Sequence, residues 1–503
     1  MSEADFLAEL RSRALRGDAA GAERIALAAL NEHPQSNELR RALAGIYRQT
    51  QRDAQAETLL REVLAQDAGD AAAAFTLAEI LKDAGRLSGT AAVLRAYFDA
   101  GDHDANLGIR AIELLADCQR QADAAAIAES ALGKNPHDAR LHAYAGMLQV
   151  QTGAFAQARE HYLYALAHST QACEWNAPHG LSSAQRYTSA AHADFALMRE
   201  CLARTDLSDK ARSSLLFALG KAYDDIGDHA QAAAYLREGN ALAHAATLWS
   251  RKNWRRAIES RLAAKPISNR LDAPQWTPVF IVGMPRSGTT LLAELLTRHP
   301  LVCNRGELPW LANLAAQPAL AGNPSRSVLE RTAATYTAQL LQDDAGDARF
   351  FLDKQPLNFR YVDLMLALWP NARIIHCRRN ARDTALSLWS QSFVEEVQGY
   401  AYDFEDMALV MRDEQRLMAR WRKLYPGSIF EVHYEQLAAD SENVIARLGA
   451  WLGLPAQPAT NKASSTISTA SLWQARQPVY TRSVERWRNY VEFVPELLKF
   501  AAE

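Results

Sequence analysis

Five positions constrain this chain more than any others. Gly17, Gln51, Gly85, Gln119 and Gly153 each stand 34 residues after the one before. Five residues beyond each sits Ala22, Ala56, Thr90, Ala124 or Ala158, and seven residues before the last four sit Ala44, Ala78, Ile112 and Gly146. Pro34 and Pro136, three periods apart, fall at the ends of their units. A fixed period of this length marks a chain built from repeated units, each burying its apolar face only against its neighbours. Small residues at fixed offsets let two helices approach closely, and a turn residue between them makes the unit a helix-turn-helix. The abundant alanine of this half favours helix.

The period and its small-residue pattern resemble the tetratricopeptide repeat. The register then slips. Gly220, Tyr223, Gly227 and Ala232 form a further unit, but Gly227 lies 74 residues after Gly153, two periods plus six. Residues 168 to 206, which include Asn176-Ala177-Pro178-His179-Gly180, read as a degenerate repeat with an insertion. The resemblance implies a solenoid whose concave surface binds a protein or peptide partner, or serves assembly, a homodimer included.

A length of 503 residues exceeds what one core serves, so at least two domains are expected. Net charge is -3, from 55 basic and 58 acidic residues, which excludes a protein-wide basic surface for nucleic acid. The five cysteines, Cys118, Cys173, Cys201, Cys303 and Cys377, are scattered and include no CxxC. Neither a disulfide framework nor a zinc site is indicated. The acidic start lacks a signal-peptide core, and no uncharged apolar run is long enough to span a membrane. A cytoplasmic setting is the expectation.

After about residue 250 the grammar changes. Arg251 to Arg270 reads as a basic helical connector. The boundaries drawn from the sequence are a helical solenoid over 1–250, a connector over 251–276 and a second domain over 277–503. In that domain Pro278-Val279-Phe280-Ile281-Val282-Gly283 is an apolar, β-branched run ending in glycine, a buried strand entering a loop. Residues 372–378 and 428–434 read as two further buried strands. Strands alternating with helical stretches predict an α/β domain with a central parallel sheet.

The loop after the first strand is Gly283-Met284-Pro285-Arg286-Ser287-Gly288-Thr289-Thr290. A strand, a glycine-rich turn and a helix form an anion cradle, because backbone N–H groups and the helix N-terminus face the ligand. Gly283 to Gly288 has P-loop spacing, but Thr289 stands where a nucleoside triphosphatase needs lysine. Arg286 lies inside the loop instead and can hold an oxyanion by a fork of donors.

This loop resembles the 5′-phosphosulfate loop of sulfotransferases, whose co-substrate is 3′-phosphoadenosine-5′-phosphosulfate. The resemblance implies donor contacts from Pro285, Arg286, Ser287, Gly288, Thr289 and Thr290. Downstream, Arg378-Arg379-Asn380-Ala381-Arg382-Asp383-Thr384-Ala385-Leu386-Ser387 is similar to the family's 3′-phosphate motif, with Ala381 where proline is usual. Arg379 and Ser387 bracket a strand-to-helix turn and would meet one phosphate. Tyr434 matches a family tyrosine near the nucleotide. The late segment from Ser471 to Arg488 resembles the part of tyrosylprotein sulfotransferases that closes on the cofactor. Ser471 matches a family serine, and Arg486 stands where lysine is usual. The whole chain resembles bacterial fusions of tetratricopeptide repeats with a sulfotransferase domain.

For chemistry, Asn304-Arg305-Gly306-Glu307-Leu308 resembles the Arg-Gly-Gly-Glu region whose glutamate is the proposed catalytic base, which makes Glu307 the base here. Many relatives use histidine, and His376 is the alternative, although it lies in an expected core strand. Asp353-Lys354-Gln355-Pro356 resembles the segment whose lysine contacts the sulfate, so Lys354 and Arg286 would offset charge on the leaving group. No metal cluster is evident, and this chemistry requires none in principle. The acceptor is a hydroxyl: a protein tyrosine, a carbohydrate or a small molecule. Two rival readings are a P-loop kinase-like phosphotransferase and a repeat scaffold whose second domain has lost activity.

Overall fold

The computed structural model describes residues 2–101, 104–343, 345–393, 396–455 and 483–501. By internal packing the chain divides into two compact units, Met1–Leu141 with Leu341–Asp344, and His142–Leu340 with Ala345–Glu503. The sequence divides by grammar near residue 250, whereas compactness groups the later helical pairs with the α/β domain.

The first unit is a series of helical hairpins. Glu3–Leu15 pairs with Ala19–Glu32, Asn37–Gln49 with Asp53–Gln66, Ala71–Asp83 with Leu87–Asp99, and Ala105–Asp117 with Gln121–Lys134. The 34-residue period has a direct cause. Gly17, Gln51, Gly85, Gln119 and Gly153 all have positive φ, between 58° and 88°. Each is the left-handed residue that ends one helix so that the next can turn back. The period of small residues is explained by burial. Ala22, Ala56, Thr90, Ala124 and Ala158 have no exposed surface, and neither have Ala44, Ala78 and Ile112.

In the second unit the pattern continues through Phe155–His168. It is then interrupted by short helices at Thr170–Cys173, Ala177–Ser183 and Ala193–Ala203, where the sequence reads as degenerate. It closes with the hairpin Asp209–Asp225 and His229–Ala246, turned by Gly227 at φ 80°. Here Gly220 lies against Leu236, with no room for a Cβ.

The α/β part holds one five-stranded sheet, entirely parallel: β1 Thr277–Gly283, β2 Val302–Asn304, β3 Phe350–Asp353, β4 Arg373–Arg378 and β5 Ile429–His433, in the order β2-β3-β1-β4-β5. Three strands were expected from the sequence. The two others, β2 and β3, are three and four residues long, too short to show a period. One face packs Val279, Ile281, Ile375, Cys377 and Val432 against Leu292, Leu296 and Leu448. On the other face Phe280 meets Trp369 and Tyr336, with ring centroids 5.9 and 6.3 Å away. Burial on both faces explains why β1 and β4 read as unbroken apolar runs rather than alternating ones, whereas β5, read from the sequence as buried, is an edge strand in which only Val432 is buried.

Candidate active site

In a parallel sheet every strand ends at the same edge. Here the candidate residues follow the ends of all five strands. Pro285 to Thr290 follow β1, Glu307 lies three residues beyond β2, Lys354 directly follows β3, Arg379 follows β4 and Tyr434 follows β5. The order reverses around β1, whose neighbours β3 and β4 lead away in opposite directions. Such switch points at the carboxyl edge are where open α/β sheets bind ligands.

The loop after β1 is pinned by close approaches. Gly283, at φ 142°, passes so near β4 that a Cβ would lie 2.3 Å from the Cys377 carbonyl oxygen. Gly288, at φ 96°, caps the helix Thr289–Thr297 and lies under Tyr434, where a Cβ would meet Cδ2 at 2.5 Å. Between them Arg286 adopts φ 69°, a conformation that costs a non-glycine residue free energy and clusters at functional sites. Ser287 Oγ donates to the Met284 carbonyl at 2.7 Å.

The two anion motifs interlock. Arg286 Nε donates to Ser387 Oγ at 2.9 Å, and Arg379 Nη1 donates to the Arg286 carbonyl at 3.0 Å. Arg379 lies 4.7 Å from the Tyr434 ring centroid in a cation–π contact. Burial pulls its pKa below the ordinary arginine value, although Asp383 favours the charge. Among the described residues its Nε, itself buried, has no hydrogen-bond partner. Asn380 caps the helix Ala381–Trp389, accepting from the N–H groups of Arg382 and Asp383 at 3.0 and 3.2 Å. A half-buried guanidinium with an unused donor, beside a second arginine and a serine hydroxyl, is suited to a phosphate group. Met284, Ser287, Arg379, Ala381, Thr384 and Gln415 line a recess here.

At the β2–β3 side, Lys354 N–H donates to the Gly306 carbonyl at 2.8 Å. This contact brings the predicted base and the predicted lysine together. Lys354 Nζ donates to Glu307 Oε1; the Lys354 side chain is 2% exposed and that of Glu307 27%. Behind them the buried Asp353 carboxylate accepts from Tyr336 Oη, from Asn358 Nδ2 at 3.0 Å and from Leu308 N–H at 3.3 Å. Burial raises its pKa to about 7. The hydrogen bonds from Tyr336 and Leu308 oppose that rise, and the nearby charge of Glu307 adds to it. Nothing in the sequence alone marks Tyr336 and Asn358 as members of this network.

His376, the alternative base, lies within β4, 1% exposed. Its Nε2 bonds to Glu414 and its Nδ1 lies 3.5 Å from Glu431. Burial opposes its charge, but Glu414 and Glu431 outweigh burial and raise its pKa. It is a core histidine between two carboxylates.

The late segment supplies a wall through its backbone. Arg379 Nη2 donates to the Ser483 carbonyl at 2.6 Å. The N–H groups of Glu485 and Trp487 donate to the Asp383 carboxylate at 2.7 and 2.9 Å. Arg486, expected at the nucleotide, directs Nη2 to Asp224 of the hairpin 209–246 at 2.7 Å. Ser471 lies outside the described residues. Among the described residues no group of three or more His, Cys, Asp and Glu side chains is arranged to hold a metal ion. None of the described helices is long and apolar enough to cross a membrane.

Residues 278–458 match the family model described as the sulfotransferase family. An uncharacterized protein of Aquifex aeolicus (strain VF5) is 30% identical over 319 residues, covering 58% of this chain and 42% of that one. Protein-tyrosine sulfotransferase A of Caenorhabditis elegans is 24% identical over 193 residues, covering 35% of this chain and 50% of that one. The chain thus spans 42 to 65% of the length of the first curated relatives it matches. The solved sulfotransferase domain of a Synechococcus olefin synthase aligns at 18% identity with a TM-score of 0.34, covering 48% of this chain and 99% of that domain.

Proposed function

We propose that this chain transfers a sulfuryl group from 3′-phosphoadenosine-5′-phosphosulfate to an acceptor hydroxyl. The observation that carries the reading is the interlocking of two anion motifs: Arg286 reaches Ser387 while Arg379 reaches the Arg286 carbonyl. In this reading Pro285 to Thr290 hold the 5′ side of the donor, with Arg286 as the cation. Arg379 and Ser387 hold the 3′-phosphate, and Tyr434 packs beside the nucleotide. The donor supplies a sulfuryl group already bonded to a good leaving group. What the protein adds is position, cationic charge and a base.

Glu307 takes the acceptor proton. Its ion pair with Lys354 does not block this role, because an ammonium has three donors and can hold Glu307 while facing the sulfuryl oxygens. The partial exposure of Glu307 leaves it open to an entering acceptor. The absence of lysine at Thr289 argues against a kinase-like phosphotransferase. A protein tyrosine is the acceptor favoured by the likeness to protein-tyrosine sulfotransferase A, with the repeats binding the protein that carries it.

The test is to incubate the protein with radiolabelled donor and cell lysate and to fractionate the label. Label in protein, released as sulfotyrosine, is the expected result. Label in carbohydrate or small molecules would replace the acceptor assignment. No transfer with any fraction would overturn the activity.

A further inference from the structure

The last helical hairpin, Asp209–Asp225 with His229–Ala246, is tied to the nucleotide side of the α/β domain at three points. Asn240, 2% exposed, donates Nδ2 to the Trp389 carbonyl at 2.8 Å, at the end of the helix that carries Ser387. Arg237 donates Nη1 to Glu496 at 2.7 Å and Nη2 to the Phe493 carbonyl at 3.2 Å. The third tie is at Asp224, whose carboxylate accepts from Arg486 Nη2 at 2.7 Å and from Tyr490 Oη at 2.6 Å. His229 Nδ1 lies 3.6 Å from the same carboxylate.

The segment that Asp224 holds is short and leads directly to the site. Arg486 stands between Glu485 and Trp487, whose N–H groups both bond Asp383, and three residues after Ser483, whose carbonyl bonds Arg379. That carbonyl accepts from Nη2 and so helps to hold the Arg379 side chain in place. A carboxylate 155 residues from Arg379 in sequence therefore reaches it through one arginine and a few residues of backbone. Burial alone would raise the pKa of Asp224, but Arg486, His229 and Tyr490 outweigh burial and hold the group ionised, well below the usual carboxylate range. The pair is only half-buried, its two side chains 25 and 23% exposed, but removing one partner frees the other and with it the segment that it anchors.

We infer that Asp224 is a positioning residue for the donor site: through Arg486 it fixes the 483–490 segment whose backbone orients Arg379 and Asp383. The inference rests on the proposed donor reading and deepens it, because it makes a helical-repeat residue part of the nucleotide-binding apparatus. Asp224 touches neither donor nor acceptor. Its loss therefore acts on donor affinity and on the order of the segment.

The test uses the full chain with Asp224→Asn, Arg486→Gln and the double variant. Two quantities are read: amide hydrogen exchange over residues 483–490, and the affinity of 3′-phosphoadenosine-5′-phosphate by calorimetry. Each single variant should speed exchange in that segment and weaken the nucleotide by on the order of tenfold, the worth of one charge-assisted contact. The double variant should be no worse than either single one, since both break the same link. Asp224→Glu should recover part of the affinity, which a general packing defect would not allow. Should Asp224→Asn fail to fold, Tyr490→Phe, which removes one donor to the same carboxylate, carries the test with about a threefold loss. Unchanged exchange, unchanged affinity or fully additive losses would overturn the inference. A wild-type chain that does not bind the nucleotide at all would instead remove the donor reading, and with it the purpose assigned to the link.

Discussion

In the proposed reaction the chemistry turns on Glu307 and Lys354, whose side chains touch. Glu307→Ala should lower turnover by about 10²- to 10⁴-fold, the range of a lost general base, with nucleotide affinity near that of the wild type. Steady-state kinetics beside calorimetry checks this, and unchanged turnover would return the base to an open question. Arg379→Ala should behave in the opposite sense. It should weaken nucleotide binding by about 10- to 100-fold, because a charge-assisted contact in a buried site is lost. Asp353 gives a pH prediction. Its folded pKa of about 7 lies above its ordinary value of 3.8, so the folded state binds the proton more tightly. The stability that this adds is complete below about pH 4 and is lost as pH rises towards 7. The difference in thermal midpoint between wild type and Asp353→Asn should therefore shift against the wild type from pH 4 to 7.5. A constant difference would show that Asp353 keeps an ordinary pKa. Arg286, Arg379 and Ser387 could be singled out from local motifs beside a strand end, and Tyr434 from the family resemblance. The partner of Arg486 could not, since Asp224 lies 262 residues away and no local pattern announces it.

At the scale of elements, the sequence was legible where a period or a long apolar run existed. The helical hairpins were visible because a left-handed turn residue and a buried small residue recur together. β1 and β4 were visible because both faces are buried, and β5 as a short β-prone run although it is a half-buried edge strand. β2 and β3 were not, and they are the strands that deliver Glu307 and Lys354. Those two residues were found through motif resemblance rather than through any expected strand. The loop after β1 makes the sharpest element-level prediction. Gly288→Ala should disturb the contact with Tyr434 and strain a backbone at φ 96°. The expected cost is about 1–3 kcal/mol, with a larger loss of nucleotide affinity than of overall stability. Paired denaturation and binding measurements check it, and wild-type affinity in this variant would show that the loop is not the donor cradle.

For the whole molecule, the change of sequence grammar near residue 250 and the division into compact units mark different boundaries. The hairpin 209–246 belongs by sequence to the repeats and by contact to the α/β domain, through Asp224, Arg237 and Asn240. A fragment of residues 135–503 should therefore keep nucleotide binding, while one of residues 251–503 should lose it or fail to fold. Equal binding by the two would show that the hairpin is dispensable. The central claim concerns what the edge of the sheet holds, and one titration addresses it most directly. Calorimetry of the full chain with 3′-phosphoadenosine-5′-phosphate and with ATP should show the first binding at least about tenfold more tightly, because Arg379 and Ser387 answer a 3′-phosphate that ATP lacks. Tighter binding of ATP, or no binding of 3′-phosphoadenosine-5′-phosphate, would contradict it.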